Sequence, residues 1–76
     1  MDEFNFDDPN NFPDEENLCG VIMLKDGSLE VRAVTGAPRR TNVTFKCPKK
    51  TKMHEWLLSL TGPMYPGASH LFLDVD

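Results

Sequence analysis

Hydrophobic residues recur along the chain in three rhythms. From Leu18 an apolar run, LCGVIML, meets a Lys25-Asp26-Gly27-Ser28 break and is followed by an alternating run, LEVRAV. An Asp-Gly pair between two such runs predicts a β-hairpin. A two-residue type I′ turn at Asp26-Gly27 pairs Leu24 with Leu29, Ile22 with Val31 and Gly20 with Ala33 on one face. Met23 opposite Glu30, Val21 opposite Arg32 and Cys19 opposite Val34 then share the other face. The first run is apolar at both parities and suits a central strand, whereas the second alternates as a half-covered strand does.

Residues 36–40, GAPRR, read as a loop, after which TNVTFKC alternates again until Pro48 ends it. Val43, Phe45 and Cys47 fall on one side of this third strand and Asn42, Thr44 and Lys46 on the other. The period then lengthens. Met53, Trp56, Leu57 and Leu60 stand at i, i+3, i+4 and i+7, between an N-cap at Thr51 and a stop at Gly62-Pro63, which predicts an amphipathic helix of about three turns. Past a loop punctuated by Pro and Gly, HLFLDVD alternates Leu71, Leu73 and Val75 with His70, Phe72 and Asp74 as a terminal strand. The expected fold is α+β: a small β-β-β-α-β domain with one helix packed on one face of a four-stranded mixed sheet. A right-handed crossover through the helix would lay the fourth strand parallel to the first, in strand order 4-1-2-3.

Charge divides the chain in two. Residues 1–17 hold seven of the twelve acids, three phenylalanines and no Lys or Arg; residues 18–76 hold all eight bases against five acids. Low hydrophobicity with breaks at Asp8-Pro9, Asn10-Asn11 and Phe12-Pro13 predicts a flexible, disordered acidic leader at 1–17 ahead of a single domain at 18–76. A purely solubilising tail has no use for Phe4, Phe6 and Phe12, so these rings are expected to dock, on their own domain or on a partner.

One helix covers one face of a sheet. The face under it is expected to hold Ile22, Leu24, Leu29, Val31, Val43, Phe45, Leu71 and Leu73. The opposite face then keeps Cys19, Val21, Met23 and Phe72 inside a ring of Glu30, Arg32, Thr44, Lys46 and His70. An apolar centre with a charged rim is how interaction patches are built, for a different protein or for a second copy of the chain, unless the leader folds across it. Arg39, Arg40, Lys46, Lys49, Lys50 and Lys52 make a second anomaly, six of the eight bases within fourteen residues. Three of these lysines crowd the helix N-terminus, where the dipole disfavours cations and calls for an anion: a nucleic-acid phosphate, a partner carboxylate or the leader itself.

Candidate chemistry is sparse. Cys19, Cys47, His54 and His70 lack the paired spacing of a zinc site, Asp7, Asp8, Asn10, Asp14 and Glu15 lack that of a calcium loop, and no glycine-rich phosphate loop exists. Cys47 with His54 and Glu55 has no recognisable oxyanion hole, and His54 reads as a solvent-exposed helix residue. No enzyme, metal or cofactor is therefore expected. Two isolated cysteines predict buried thiols in a reducing compartment, and without an apolar run of membrane length or a secretory signal the chain reads as soluble and cytoplasmic. The sequence predicts a non-enzymatic protein-binding module, a regulator or inhibitor that docks on a larger protein through Phe4, Phe6 and Phe12 and through Val21, Met23 and Phe72. The alternative is a nucleic-acid-binding domain that uses the bases of 39–52, with the acidic leader tuning it.

Overall fold

The register of the sheet is decided at the first hairpin. The computed structural model describes residues 4–35 and 39–72. In it the Gly27 N–H donates to the Leu24 carbonyl (3.0 Å) and the Leu24 N–H to the Ser28 carbonyl (2.8 Å), which closes a three-residue loop, Lys25-Asp26-Gly27. Gly27 adopts φ 92°, whereas Lys50 is the only non-glycine with positive φ among the described residues. Asp26 therefore does not take the left-handed conformation that a type I′ turn requires at both central positions. Its carboxylate accepts instead from the Ser28 N–H (2.9 Å) and hydroxyl (2.5 Å), which holds the longer loop in shape.

One extra loop residue turns the first strand over. Strand β1 (Leu18–Met23) pairs with β2 (Leu29–Val34) so that Met23 faces Leu29, Ile22 faces Glu30, Val21 faces Val31 and Gly20 faces Arg32. The predicted pairs are each displaced by one, and Val21 and Met23 now lie on the face that Leu29 and Val31 share. An irregularity between Leu18 and Gly20 lets Leu18, of the opposite parity, join them opposite Ala33.

Strand β3 (Asn42–Cys47) adds to β2 with Phe45 opposite Val31 and Cys47 opposite Leu29. Helix α1 (Lys52–Thr61) follows, then β4 (Ser69–Leu71), which pairs with β1. The neighbour order β3-β2-β1-β4 is the expected one, but every pairing is antiparallel, so the expected mixed sheet is corrected. The reason lies in where α1 leaves the chain. β3 ends level with Leu29 and Met23, and β4 begins at the same end, with the Met23 N–H donating to the Ala68 carbonyl (2.9 Å) and Ser69 opposite Ile22. A parallel fourth strand would require the connection to cross to the far end. β4 also presents the parity opposite to the expected one: His70 faces Val21 on the covered side, while Leu71 faces Gly20 on the open side and is 79% exposed. Leu73 and Val75 lie outside the described residues.

Leu18, Val21, Met23, Leu29, Val31, Ala33 and Cys47 of the sheet meet Met53 and Leu57 of α1 in the core. The acidic leader packs on this same side and does not stand apart as the expected disordered segment. Residues 4–17 form two short 3-10 turns, Pro9–Asn11 and Glu15–Asn17; Phe12 stacks on Trp56 (5.0 Å, 24°), and Phe6 lies 6.4 Å from Phe45. The leader is also tied to the start of α1. Lys52 N–H donates to the Asp7 carboxylate (2.9 Å), Met53 N–H to the Phe6 carbonyl (3.0 Å) and His54 N–H to the Thr51 hydroxyl (3.2 Å). Three amides that a helix N-terminus otherwise leaves open are thus satisfied, two of them from forty-odd residues upstream. At the other end Gly62 caps the helix at φ 84°, donating to the Leu58 carbonyl.

Gly27→Ala should lower the unfolding free energy by about 1–2 kcal/mol in urea titration, the cost of an L-residue in the left-handed region. The added methyl would also lie 2.7 Å from the Lys49 Cδ, whose flexible stem must shift. A second expectation concerns acid. The Ser28 hydroxyl and amide, with Lys46 nearby, hold the Asp26 carboxyl at about 2, below its usual 3.8. A carboxyl depressed in the folded state stabilises it above the unfolded value and ceases to do so as pH falls through the folded one. The urea midpoint should therefore decline between pH 3.8 and about 2, and Asp26→Ala should remove that part of the decline.

Candidate interaction site

The expected contact residues separate once the register is known. Val21 and Met23 are 0% and 9% exposed beneath α1, so neither belongs to a contact surface, and the one-residue shift of the hairpin is the cause. Phe72 is half-buried on the covered side, edge-on to His70 at 4.9 Å, and lines a shallow depression with Glu15 and Glu16. Phe6 and Phe12 are engaged with their own domain. Phe4 remains 52% exposed.

Phe4 belongs to an aromatic corner at the β3 edge. Its ring lies 4.7 Å from Phe6, nearly edge-on at 63°, and 6.3 Å from Phe45. With Asn11 and Pro13 these rings line an apolar concavity of about 370 Å³, and Val43, 37% exposed, stands two residues along the same face of β3. The three rings pack against one another, and the corner offers an apolar wall. The aromatic content of the leader was legible in the sequence. That Phe45 would close the same cluster was not, because nothing local joins residues forty positions apart.

The open face of the sheet carries less apolar surface than expected. Ile22 and Leu71, opposite Glu30 and Gly20 respectively, replace Val21, Met23 and Phe72 there, while Cys19 keeps the expected face and lines a concavity with Glu30, Arg32 and Thr44. Around them run two ion pairs, Arg32–Glu30 and Lys46–Asp26, each at 3.5 Å. Exposed pairs of this kind contribute at most about 1 kcal/mol, so they define a polar rim more than they stabilise the fold. The leader covers the helix side and leaves this face open among the described residues.

The basic residues do not form one patch. Arg39 and Arg40 sit at the β2–β3 loop, where the Thr35 hydroxyl donates to the Arg39 carbonyl (2.7 Å). Lys46, Lys49, Lys50 and Lys52 lie toward the other end of β3, about 20 Å away at the usual strand rise. Lys46 pairs with Asp26, the Lys49 stem passes over Gly27, and the anion that the helix N-terminus called for is the Asp7 carboxylate. The leader itself is thus the anion partner.

Cys47 is buried, and burial pushes its thiol up, opposed by a contact with the Thr51 hydroxyl at 3.5 Å, so it is held as a neutral thiol. Cys19 is half-buried, less than expected, and both cysteines are free. His54 is not the expected solvent-exposed residue: half-buried, it donates from Nε2 to the Gly27 carbonyl at 2.9 Å and ties α1 to the hairpin. Among the described residues no group of three His, Cys, Asp or Glu is placed to hold a metal ion, and no helix is long and apolar enough to cross a membrane.

Comparison with family models, with curated proteins and with solved structures returns no match to this chain.

The leader's hold on α1 is directly measurable. Asp7→Ala should destabilise the fold by about 0.5–2 kcal/mol, as loss of a helix cap does, and should speed amide exchange at Lys52. Glu16→Ala, at an exposed position of the same segment, should change stability by less than about 0.5 kcal/mol.

Proposed function

We infer that the chain is a small non-enzymatic protein-binding module, a regulator or inhibitor that acts by occupying a surface of a larger protein. The observation that carries this reading is the one-sided cover of the sheet: α1 and the leader both lie on one side, and Ile22 and Leu71 stand on the other inside a rim of paired charges. Exposed apolar positions ringed by polar residues favour protein contact. Phe4 adds a second apolar anchor at the sheet margin. Charged side chains at a rim steer and orient an approaching partner more than they bind it.

The nucleic-acid alternative draws less support. It calls for a continuous basic surface, whereas the two arginines and the four lysines sit at opposite ends of β3, and the helix N-terminus that would receive a phosphate is already filled by Asp7.

Wild-type protein and a Leu71→Asp, Phe4→Ser double variant, each shown by circular dichroism to be folded, should be immobilised and exposed to an extract of the source cells. A specific protein retained by the wild type and lost from the double variant is expected. Equal retention by both, or retention of nothing by the wild type, overturns this reading.

A further inference from the structure

β3 is an edge of the sheet, six residues long, paired with β2 along its whole length without a shift in register. Among the described residues no backbone hydrogen bond reaches it from its outer side. Natural edge strands are normally blunted by shortness, a proline, a bulge or charge. The other edge, β4, is only three residues long, whereas β3 has no proline, no bulge and a single charge, Lys46.

The geometry points to antiparallel pairing of β3 with β3 of a second copy of this chain, which would join two four-stranded sheets into one about a two-fold axis. Directly opposed residues in a sheet share a face. Val43, Phe45 and Cys47 face the helix side, opposite Ala33, Val31 and Leu29, and Asn42, Thr44 and Lys46 face the open side. A symmetric pairing must therefore centre on a residue. Centred on Thr44, it spans Asn42 to Lys46 and leaves buried Cys47 and the Pro48 corner outside the ladder.

The central pairs in that register are favourable, and no like charges are directly opposed. Thr44 meets Thr44 of the second copy, an open-face threonine pair. Val43, 37% exposed, meets half-buried Phe45, a β-branched residue against an aromatic ring. Lys46 meets Asn42, and the two Lys46 side chains fall at opposite ends of the ladder, about 13 Å apart at the usual strand rise. Each Val43–Phe45 contact would also extend the apolar wall of Phe4 and Phe6 that adjoins Phe45. A second copy is the occupant because this strand supplies both members of each pair. The chain's net charge of −4 opposes association at a distance, so salt should strengthen the dimer.

Sedimentation equilibrium of the purified protein, with no other protein present, tests this separately from binding to a larger partner. The wild type should move from monomer toward twice the monomer mass as concentration rises. Thr44→Lys, which sets like charges opposite each other on an exposed position, should raise the dimer dissociation constant at least about tenfold while leaving the circular dichroism spectrum unchanged. Leu71→Lys, at the other edge, should leave the dimer intact. In a Cys19→Ser background, Thr44→Cys should cross-link to a dimer on oxidation with diamide, because opposed residues lie within disulfide reach, and Asn42→Cys should not. A wild type that stays monomeric throughout, a Thr44→Lys variant that dimerises as the wild type does, or loss of the dimer in Leu71→Lys alone, overturns the proposal.

Discussion

The conformation of Gly27 governs the molecule. Its positive φ closes a loop of three residues, with Asp26 holding Ser28 from inside, and that single count decides which half of β1 faces the helix. β1 is apolar on both parities, so its own side chains do not enforce one facing over the other; the turn does. Once Val21 and Met23 point inward, β2 and β3 need no change, because Leu29, Val31, Phe45 and Cys47 already share that side. His54 then closes the arrangement by bonding from α1 to the carbonyl of the same glycine.

The leader is best understood as a missing part of the helix. A ten-residue helix is marginal by itself, and its first amides have few local partners. Asp7 and the Phe6 backbone supply two of them, while Phe12 lies flat on Trp56 and shields it. The carboxylate also places negative charge where the helix dipole is positive and where Lys50 and Lys52 crowd together, which relieves an unfavourable arrangement visible in the sequence. Both covering layers, helix and leader, consequently lie on one side of the sheet, and among the described residues this asymmetry leaves the opposite face open.

Much of the local structure follows from the chain's own pattern. The periodicity of Met53, Trp56, Leu57 and Leu60, the Thr51 cap and the Gly62 stop define α1 within a residue of its observed ends, because capping and amphipathic spacing are local effects. The alternation of LEVRAV and NVTFKC likewise defines the buried side of β2 and β3. The candidate surface was less legible. Val21, Met23 and Leu71 each lie on the face opposite to the one their alternation predicts, because the strand is too evenly apolar or too short for alternation to decide. The basic residues looked like one cluster because they are close in sequence, but an extended strand carries its ends about 20 Å apart.

By itself, the sequence determined one helix, the strands and an acidic segment carrying three aromatic rings, since each depends on contacts or propensities within a few residues. Only the tertiary structure decided the loop count at Asp26-Gly27, the antiparallel course of β4 and the seat of the leader. Those outcomes turn on a single backbone dihedral, on where a connecting helix returns the chain, and on hydrogen bonds from Lys52 to Asp7 and from Met53 to Phe6, which no local pattern encodes.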